Sequence, residues 1–445
     1  MATSTFQTAR LKGIASIPPA KSEAHRALLL AALGKGNCQL NGFPSPLCDD
    51  TQAMINGVTA LGASVVHNGE TLLITPAPLQ PANKATVTCE VYACAAALRM
   101  LIPAFLSRGQ AVRFTMEDAL FNRPLSAFDP LIAKLKATLT RMPSTPGTRA
   151  SVTLQGEMPA GDYEIDGSLS SQFASGLLIA LGHARDASGM PAPATLWVKP
   201  PIVSRPYLDM TLRLIERFGL TCIEHGGGHF TLTPTALQNP TEVAVSPDWS
   251  QAAVLLCANA MGHGVILSQM KEPVCDEPTL QGDSRIVSIL RDMGLAVLSI
   301  AEGLWVCCPS RAGLTPLTLD CSDIPDLAPI LALTCTQAKG MSTLSGVSRL
   351  RVKECDRLTA TCDLLTQMGA KVELGADGDT LRIYGSTPLQ GGFSADARGD
   401  HRMVMLLAVA ALLCKEPITV HGVEAINKSW PGFLATYHAL GGVFQ

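Results

Sequence analysis

The sequence predicts a two-domain α/β protein that is assembled from six copies of one supersecondary unit. Three observations lead to this prediction. First, 445 residues exceed what a single hydrophobic core usually supports. Second, an apolar fraction of 47% with only 16% charged residues is typical of a folded globular chain. Third, a helix-like stretch that ends in a small-residue turn, followed by alternating β-type residues, recurs along the chain.

The repeated turn carries glycine in five copies: Gly62, Gly219, Gly294, Gly369 and Gly441. A sixth, degenerate copy lies near residues 134–139. The step between copies is about 75 residues, which is longer than a solenoid period and long enough for strands plus two helices. Glycine suits this position because a helix often ends in a left-handed residue, and glycine adopts that conformation without a Cβ penalty. After Gly369, residues 371–374 and 380–383 are predicted to form a hairpin.

Two segments rich in proline and small polar residues, at 17–19 and 239–241, are predicted to cross between the domains. If both cross, the N-terminal strand belongs with the C-terminal half of the chain, and three repeats fall in each domain. The expected domains are therefore residues 1–18 with 243–445, and residues 19–242.

The charge balance argues against large anionic partners. The formal net charge is −3 and the isoelectric point is about 6.3, so neither nucleic acid nor a membrane surface is an expected partner. The longest apolar stretch, Met403 to Cys414, is too short to span a bilayer and predicts a buried helix. The N-terminus lacks the features of a secretory signal. A cytoplasmic location is expected.

The cysteines and histidines show no metal or disulfide pattern. The fourteen cysteines are scattered without a CxxC pair, and several lie in apolar runs where reduced thiols act as small hydrophobic groups. The nine histidines lack metal-ligand spacing, and His225 and His229 bracket three glycines that predict a hairpin turn. Buried free thiols and no bound metal are expected.

Polar and basic residues stand at the start of several predicted helices. Lys21 and Ser22 precede the helical run 27–32, and Arg26 lies one turn further along. Free N–H groups and the positive end of the helix dipole favour an anion at such a start. The segment is either a phosphate site or a capped helix with a solvated lysine and arginine.

A second helix start follows residues 166–173 and precedes the helical run 174–181. It carries three polar side chains: Ser170, Ser171 and Gln172. Consecutive hydroxyls and an amide can donate to phosphate, although serine is also a common N-cap. Ser204 and Tyr207 supply another hydroxyl pair before the next predicted helix.

An unusually charged decapeptide spans residues 349–358 and includes Lys353, Glu354 and Arg357. Such a run usually forms a solvated helix face, which Glu/Arg pairs at i, i+3 would support.

Further charged residues stand beside helix starts. Asp400, His401 and Arg402 directly precede the most apolar helix, and charges in that position indicate an enclosed site. Arg123 and Lys428 add two cations close to prolines.

Together these segments resemble the family of 5-enolpyruvylshikimate-3-phosphate (EPSP) synthases over essentially the whole chain. The most specific parts are Ser-x-Ser-Ser-Gln-Phe from residue 168, Val-Lys-Glu-x-Asp-Arg-Leu from 352 and Asp-His-Arg-Met from 400. Lys-Ser-x-x-x-Arg from 21 and Pro-Asp-Leu at 325–327 support them. The resemblance implies a two-domain inside-out α/β barrel, the enolpyruvyl transferase fold. Each domain would contain three βαβαββ repeats with helices inside and sheets outside, and the active site would lie in the interdomain cleft.

The resemblance also implies an activity, that of a 3-phosphoshikimate 1-carboxyvinyltransferase in the shikimate pathway of aromatic amino acid biosynthesis. Such an enzyme transfers the enolpyruvyl group of phosphoenolpyruvate to the 5-hydroxyl of shikimate 3-phosphate. It passes through a tetrahedral intermediate, releases phosphate, and needs no cofactor or metal. Both substrates carry a carboxylate and a phosphate, which arginine grips bidentately. A monomer is the family expectation.

Matching motif positions imply roles for individual residues. The expected phosphoenolpyruvate contacts are Lys21, Arg123, Gln172, Arg357, Arg402 and Lys428. The expected shikimate 3-phosphate contacts are Ser22, Arg26, Ser170, Ser171, Gln172, Ser204, Tyr207, Asp326 and Lys353. The expected catalytic residues are Glu354 near the methylene carbon, Asp326 near the acceptor hydroxyl, and Lys21, which assists proton transfer or neutralises the departing phosphate.

One segment departs from the family pattern. Where the family has Asn-Ala-Gly-Thr-Ala-x-Arg against the donor's phosphate, this chain has residues 93–99, with Ala95 in place of glycine and Ala96 in place of the hydroxyl residue, followed by Ala97. The added methyl group narrows the pocket, and the lost hydroxyl removes a hydrogen bond. Two hypotheses follow: an active enzyme with weak sensitivity to glyphosate, which occupies the donor site in this family, or a degenerate relative that binds shikimate 3-phosphate without turnover. The retained charged residues favour activity.

Two related classes fit less well. The enolpyruvyl transferase that acts on UDP-N-acetylglucosamine relies on a cysteine in a mobile loop and lacks the Ser-Ser-Gln and Asp-His-Arg patterns. Cys89 and Cys94 lie too near the phosphate loop to match that cysteine. An RNA-terminal cyclase would need a nucleotide-accepting histidine and a basic surface, neither of which the sequence indicates.

Overall fold

The computed structural model describes residues 1–76, 85–234, 238–273, 281–307 and 313–445. The chain divides into two compact units, which we call the terminal unit (Met1–Pro18 with Pro247–Gln445) and the central unit (Pro19–Ser246). The return to the terminal unit therefore falls after Ser246, a few residues beyond the expected position at 242.

Strands and helices are numbered along the whole chain. The strands are β1 (Thr3–Gln7), β2 (Lys12–Ser16), β3 (Cys38–Asn41), β4 (Ser64–Asn68), β5 (Thr71–Thr75), β6 (Val87–Glu90), β7 (Val112–Met116), β8 (Thr138–Met142), β9 (Ala150–Gln155), β10 (Asp162–Asp166), β11 (Ala194–Lys199), β12 (Thr221–Gly226), β13 (His229–Thr233), β14 (Glu242–Ala244), β15 (Gly264–Ser268), β16 (Ala296–Ile300), β17 (Gly303–Cys307), β18 (Thr318–Asp320), β19 (Met341–Ser345), β20 (Lys371–Leu374), β21 (Thr380–Tyr384), β22 (Phe393–Asp396), β23 (Ile418–His421) and β24 (Val443–Phe444). The α-helices are α1 (Lys21–Leu33), α2 (Asp49–Ala60), α3 (Ala95–Ser107), α4 (Asp118–Phe121), α5 (Asp129–Leu135), α6 (Ser171–Leu181), α7 (Arg205–Arg217), α8 (Trp249–Ala260), α9 (Ile286–Asp292), α10 (Ala328–Cys335), α11 (Arg357–Gln367), α12 (His401–Ala411) and α13 (Phe433–Ala439). Short 3₁₀ segments are Ser126–Phe128, Gly282–Arg285, Pro325–Leu327, Ser348–Val352 and Val423–Lys428.

All six four-stranded sheets in the described residues share one strand pattern, in which a parallel pair at one edge is followed by two antiparallel pairings. In the central unit the orders are β14-β3-β5-β4, β6-β7-β9-β8 and β10-β11-β13-β12. In the terminal unit they are β2-β15-β17-β16, β18-β19-β21-β20 and β22-β23-β1-β24. Each sheet, with its helices, forms one βαβαββ repeat, three to a unit. The expected fold class is thereby confirmed.

The crossings between the units explain why three strands are separated in sequence from their repeats. Strand β2 pairs in parallel with β15, which follows only after the whole central unit. Strand β14, at the end of the central unit, pairs in parallel with β3 near its beginning. Strand β1 pairs with β23 and β24 and so completes the last repeat of the chain.

The repeated turn has the backbone conformation that the sequence predicted. The five glycines have positive φ: 102° at Gly62, 74° at Gly219, 88° at Gly294, 87° at Gly369 and 97° at Gly441. The degenerate copy uses Lys136 instead, with φ of 52°. The predicted hairpins are also confirmed, because β20 pairs with β21 and β12 pairs with β13 in antiparallel register.

Helices lie inside each unit, and each sheet buries one face. Every residue of α12 is buried, as the apolar stretch predicted, whereas strands such as β7 alternate between buried and more exposed residues. In the central unit α3 packs closely against α6. The approach requires a glycine at position 176, since a Cβ there would lie 2.7 Å from Met100 Cα and 3.0 Å from the Arg99 carbonyl oxygen. This contact brings the beginnings of the two helices together.

Three expectations from composition concern the described residues only. No described helix combines the length and apolar character needed to cross a membrane. The eleven described cysteines all carry free thiols, seven of them buried; Cys275, Cys308 and the thiol of Cys307 lie outside the described part. A search of the described residues finds no group of histidine, cysteine or carboxylate side chains arranged to hold a metal ion.

Candidate active site

Lys21 is the first residue of α1, as expected, and it forms an ion pair with Asp50 of α2. Its Nζ lies 2.9 Å from Asp50 Oδ2, and the two side chains are 19% and 6% exposed. Ala20, at the N-cap of α1, offers no side chain to its first-turn N–H groups. Lys21 therefore brings a partly shielded charge to a helix start that already favours anions.

Arg26 is buried and binds three helices at once. Its Nε donates to Thr211 Oγ1 at 2.7 Å, and its Nη1 donates to the Ser22 carbonyl at 2.6 Å. Its Nη2 donates to Ser175 Oγ at 3.0 Å and to the Tyr207 carbonyl at 3.1 Å. No described carboxylate lies within ion-pair distance of it, and burial lowers the pKa of Arg26 to about 10. Because Arg26 is only 2% exposed, the alternative of a solvated arginine on this helix is wrong.

His25 helps to hold Asp50 in position through a buried hydrogen bond. Its Nε2 lies 2.9 Å from the Asp50 carbonyl oxygen, which can only accept, so Nε2 carries the proton. Burial lowers the pKa of His25 to about 4, and the charges of Lys21 and Arg26 act in the same direction against a partly compensating Asp50. His25 is therefore neutral at physiological pH.

The start of α6 shows the capping role that its serines suggested. Ser170 is the N-cap, and its Oγ accepts from the Gln172 N–H at 3.3 Å, while Ser171 is buried in the first turn. The Gln172 side-chain oxygen accepts from Arg99 Nη1 at 3.0 Å, and the Arg99 guanidinium lies 4.7 Å from the Phe173 ring centroid. Arg99 thus fixes which way the Gln172 amide faces, with its NH₂ group directed away from the arginine. Sequence analysis assigned Arg99 no role.

Arg99 also contacts the segment that carries Arg123. Its Nη2 donates to the Pro124 carbonyl at 3.2 Å, and Arg123 is partly exposed next to that proline. One buried arginine therefore positions the Gln172 side chain and the backbone beside Arg123, two expected phosphoenolpyruvate contacts.

Ser204 and Tyr207 stand at the start of α7. Ser204 occupies the N-cap position with φ of 53°, a left-handed conformation that is uncommon for a residue with a Cβ and often marks a functional position. Tyr207 lies in the first turn, where its carbonyl accepts from Arg26. Arg205, between them, pairs instead with Asp209 and Glu224 on the surface.

In the terminal unit, Arg357 binds three carboxylates. Its Nη1 lies 2.9 Å from Asp326 Oδ1, its Nη2 2.5 Å from Glu354 Oε2, and its Nε 2.8 Å from Asp400 Oδ2. Although burial by itself lowers the pKa of a guanidinium, these carboxylates raise that of Arg357 above its usual value. The solvated helix face considered for residues 349–358 is wrong. The segment is a 3₁₀ turn that leads into the start of α11, and Arg357 is 1% exposed.

Asp326 forms ion pairs with three basic side chains. Besides Arg357, it accepts from Lys353 at 3.2 Å and from Arg402 at 3.2 Å. Burial favours the neutral acid, but the charges of Arg402, Lys353 and Arg357 outweigh it and hold the pKa of Asp326 well below its usual range. Burial lowers the pKa of Lys353, against the opposing charge of Asp326. The candidate base is therefore firmly ionised in this arrangement.

Arg402 is the second residue of α12, and one N–H of its guanidinium has no hydrogen-bond partner among the described residues. Asp400 is the N-cap of α12, accepts from the Arg402 backbone N–H at 2.8 Å, and at the same time binds Arg357. Arg402 is 6% exposed, and its Nε is buried without a hydrogen-bond partner among the described residues. Lys428 ends the segment Val423–Lys428 and is also buried. An unsatisfied buried donor on an arginine indicates a position where an anionic ligand would be favoured.

Asp283 is a buried carboxyl group that sequence analysis missed. It is fully buried, its Oδ2 accepts from Ser250 Oγ, and burial together with the Asp326 charge raises the pKa of Asp283 to about 6. Its sequence surroundings, Gly-Asp-Ser, carry no charge run or helix start that would single it out.

The departing segment 93–99 forms the start of α3. Cys94 is the N-cap, and its Sγ accepts from the Ala97 N–H at 3.4 Å, a weak cap compared with a hydroxyl. Ala95, which stands where the family has a glycine, and Ala97 are both buried.

Solved structures share this architecture. EPSP synthase from Acinetobacter baumannii matches with a TM-score of 0.77 at 22% identity, covering 100% of this chain and 99% of that one. The enolpyruvyl transferase NikO from Streptomyces tendae matches with a TM-score of 0.73 at 17% identity, covering 100% and 98%. The fold is therefore that of the enolpyruvyl transferases.

Sequence comparisons narrow the class to one family. Residues 6–437 match the family model for EPSP synthase (3-phosphoshikimate 1-carboxyvinyltransferase). A relative from Clostridium kluyveri named 3-phosphoshikimate 1-carboxyvinyltransferase is 31% identical over 433 residues, 97% of this chain and 96% of the relative. One of the same name from Clostridium perfringens is 30% identical over 438 residues, 98% and 97%. The chain belongs to the EPSP synthase family, which confirms the resemblance drawn from its motifs.

Proposed function

We propose that this chain transfers the enolpyruvyl group of phosphoenolpyruvate to the 5-hydroxyl of shikimate 3-phosphate and releases phosphate. The observation that carries the proposal is that one buried guanidinium, Arg357, holds both candidate proton-transfer groups, Glu354 at 2.5 Å and Asp326 at 2.9 Å. Two carboxylates fixed on a common cation suit a reaction in which one proton is delivered to the donor and another leaves the acceptor.

Both units supply groups suited to anionic substrates. In the central unit, Arg26 is a buried cation without a described counter-ion, close to the polar starts of α1, α6 and α7. In the terminal unit, Arg402 has a buried N–H donor that the described protein leaves unused. Each substrate carries a carboxylate and a phosphate, and a guanidinium remains charged on burial, so these arginines can take over part of the lost hydration. We propose that residues of both units contact the substrates.

The chemistry requires two proton transfers in each half-reaction. In the addition, Glu354 in its protonated form gives its proton to the methylene carbon of phosphoenolpyruvate. The acceptor oxygen forms a bond to the adjacent carbon, and the hydroxyl proton passes to Asp326. In the elimination, the bond from that carbon to the phosphate oxygen breaks and the proton held by Asp326 passes to the departing phosphate. The new methyl group returns a proton to Glu354, which restores the double bond. Lys21 neutralises the departing phosphate. The sum needs no oxidant, and no group outside the protein supplies a proton.

The low pKa of Asp326 determines when it can act. With Arg402, Lys353 and Arg357 directed at it, Asp326 is a weaker base than an ordinary aspartate. Two bound anions would share those three cations, and the pKa of Asp326 would rise towards the working pH. Asp326 would therefore become a stronger base when both substrates are present.

Phosphate release with defined acceptors tests the function. Phosphate should appear when phosphoenolpyruvate and shikimate 3-phosphate are both present, and a chelator should leave the rate unchanged. Replacing the acceptor with UDP-N-acetylglucosamine should abolish release. Release with the nucleotide sugar and none with shikimate 3-phosphate would contradict the proposal.

The alanines at 95–97 favour a second candidate function, in which the protein binds shikimate 3-phosphate without turnover. The buried Ala95 stands where the family has a glycine, and the partly exposed Ala96 stands where the family has a hydroxyl residue. Calorimetry combined with the phosphate-release assay separates the two functions. A non-catalytic relative would show saturable heat of shikimate 3-phosphate binding but no phosphate release. We favour the active enzyme, because both candidate proton-transfer groups, Glu354 and Asp326, are retained and are joined through Arg357.

Three further properties complete the proposal: weak inhibition by glyphosate, a cytoplasmic location and a monomeric state. The first follows from the methyl group of Ala95, which narrows the donor pocket for an inhibitor that competes with phosphoenolpyruvate. Fractionation of cells and sedimentation of the purified protein test the other two.

A further inference from the structure

Two hydroxyl groups, Ser175 on α6 and Thr211 on α7, complete the surroundings of Arg26. Both residues are fully buried, and their oxygens lie 2.7 Å apart. Thr211 Oγ1 is also 3.0 Å from the Tyr207 carbonyl oxygen one turn earlier. Neither residue belongs to a motif, and neither was a candidate from sequence.

The distances determine where every proton in this network lies. Because the Tyr207 carbonyl can only accept, the Thr211 hydroxyl donates to it. Thr211 Oγ1 then accepts from Arg26 Nε and from the Ser175 hydroxyl, which uses both of its lone pairs. Ser175 Oγ accepts from Arg26 Nη2, whose second N–H donates to the Tyr207 carbonyl. Such a network has one proton arrangement, and this rigidifies the groups it joins.

The network joins the helices that carry the expected acceptor contacts. Arg26 belongs to α1, whose first turn contains Ser22, and the Ser22 carbonyl oxygen accepts a hydrogen bond from Arg26 Nη1. Ser175 lies one turn after the start of α6, and Thr211 lies one turn after Tyr207 of α7. Four of the five N–H groups of Arg26 are used in this way, which leaves one N–H, on Nη1, without a partner among the described residues.

We infer that Ser175 and Thr211 are positioning residues that fix Arg26 and the first turns of α1, α6 and α7, so that Arg26 offers the acceptor a single hydrogen bond from Nη1. The inference rests on the proposed function for the identity of the ligand. A freely rotating arginine would offer its bidentate edge to any carboxylate or phosphate. The fixed Arg26 contributes its charge and one hydrogen-bond donor of defined direction. It therefore selects a substrate with an oxygen in the direction of the free Nη1 N–H.

The matched substitutions are Thr211→Val, which removes the hydroxyl at constant shape, and Thr211→Ser, which keeps it. The control is Thr334→Val in α10 of the terminal unit, where a buried threonine hydroxyl likewise donates to a carbonyl four residues earlier, at 2.9 Å. Thr211→Val should raise the Kd for shikimate 3-phosphate by about tenfold, as expected for hydrogen bonds to a charged group, and leave the KM for phosphoenolpyruvate within about twofold. Thr211→Ser should recover most of the affinity, Ser175→Ala should resemble Thr211→Val, and Thr334→Val should leave both constants unchanged.

Amide hydrogen exchange in the ligand-free protein tests the positioning role independently of any substrate. Thr211→Val should increase exchange in residues 21–26 and 205–211, whereas Thr334→Val should not. If the wild-type protein binds no shikimate 3-phosphate but this exchange pattern appears, the proposed function fails and the positioning role stands. Unchanged exchange in Thr211→Val overturns the inference, as does an affinity loss that Thr211→Ser shares or that Thr334→Val reproduces.

Discussion

Arg357 and Asp400 form a bidentate ion pair in which Nε donates to Oδ2 at 2.8 Å and Nη2 to Oδ1 at 3.2 Å. Their side chains are 1% and 0% exposed. The same carboxylate caps α12 through the Arg402 N–H and accepts a weak contact from the Cys355 thiol at 3.6 Å. Asp400 therefore fixes both the orientation of Arg357 and the start of α12. One side chain thus positions two expected phosphoenolpyruvate contacts, Arg357 and Arg402.

Asp400→Asn should destabilise the protein by about 3 kcal/mol, because it removes one of the three negative charges that surround the buried Arg357 guanidinium. Asparagine caps helices about as well as aspartate, so the loss reports the charge and not the cap. Urea unfolding measures it. The control is Asp356→Asn, at the N-cap of α11, whose ion pair with Arg351 is 40% exposed on both sides. That change should cost less than about 1 kcal/mol. Equal losses in the two variants would contradict the assignment.

Glu354→Gln should lower turnover by about 10²-fold or more if Glu354 transfers the proton to and from the methylene carbon. Its Oε2 lies 2.5 Å from Arg357 Nη2, and glutamine can keep an oxygen at that position. Substrate affinity should therefore change less than kcat. Steady-state phosphate release with both substrates varied measures the two effects. Near-normal turnover would remove Glu354 from the mechanism.

Stability should fall as the pH drops from about 6.5 to about 4, in part because of His25. The folded protein keeps His25 neutral until its pKa of about 4, whereas an unfolded histidine takes up a proton near its ordinary value. The unfolded state then binds more protons within this window, so acid favours unfolding, by up to about 3 kcal/mol from this residue.

The variant His25→Gln, which keeps a donor for the Asp50 carbonyl, should weaken that dependence. His225→Gln, at an exposed histidine on β12, serves as the control. Urea unfolding at a series of pH values provides the measurement. A pH dependence that survives unchanged in His25→Gln would assign the effect to other groups.

Ala95→Gly should make the enzyme more sensitive to glyphosate. Removing one methyl group from a tight pocket typically changes affinity by 10-fold or more, so the inhibitory concentration should fall by about tenfold. The KM for phosphoenolpyruvate should fall in the same direction. Ala97→Gly, in the same turn of α3, controls for loosening of the helix. Equal sensitivity of wild type and Ala95→Gly would show that the methyl group does not limit the pocket.

Arg99→Lys should lower kcat/KM for phosphoenolpyruvate by about tenfold, because lysine cannot reproduce the directed bonds to Gln172 and the Pro124 carbonyl. The KM for shikimate 3-phosphate should change little. Arg108→Lys is the matched control, since Arg108 caps the other end of α3 and donates to the Leu33 carbonyl at 3.0 Å. It should affect stability only. A similar kinetic loss in both variants would assign the effect to α3 as a whole.

Much of the fold was predictable because its signals are local. A left-handed residue at the end of a helix restricts the side chain at that one position, so Gly62, Gly219 and their equivalents mark the repeats without any knowledge of packing. The starts of α1 and α6 were visible for the same reason, since N-terminal preferences depend on a few neighbouring residues. The family motifs then identified the charged residues from Lys21 to Lys428.

Burial and partner choice were not predictable, because they depend on residues far apart in the chain. The decapeptide 349–358 has the composition of a solvated face, yet Arg357 is buried by its contacts with Asp326 and Asp400, which lie tens of residues away. Asp50 and Asp283 gave no signal, and the family pattern marked Arg99 without assigning it a role, because each gains its role only from a neighbour in space. The same holds for Ser175 and Thr211, which look like ordinary helix residues until packing brings them to Arg26.

The sequence by itself therefore determined the repeat, the starts of the helices and the set of charged side chains, since these depend on backbone preferences within a few residues. Tertiary structure decided which charges are buried, which are paired and which retain an unused donor. The physical reason is that the energy of a charged group depends on its dielectric surroundings and its partners. Both are set by the packing of helices such as α3, α6 and α7, and not by the residues adjacent in sequence.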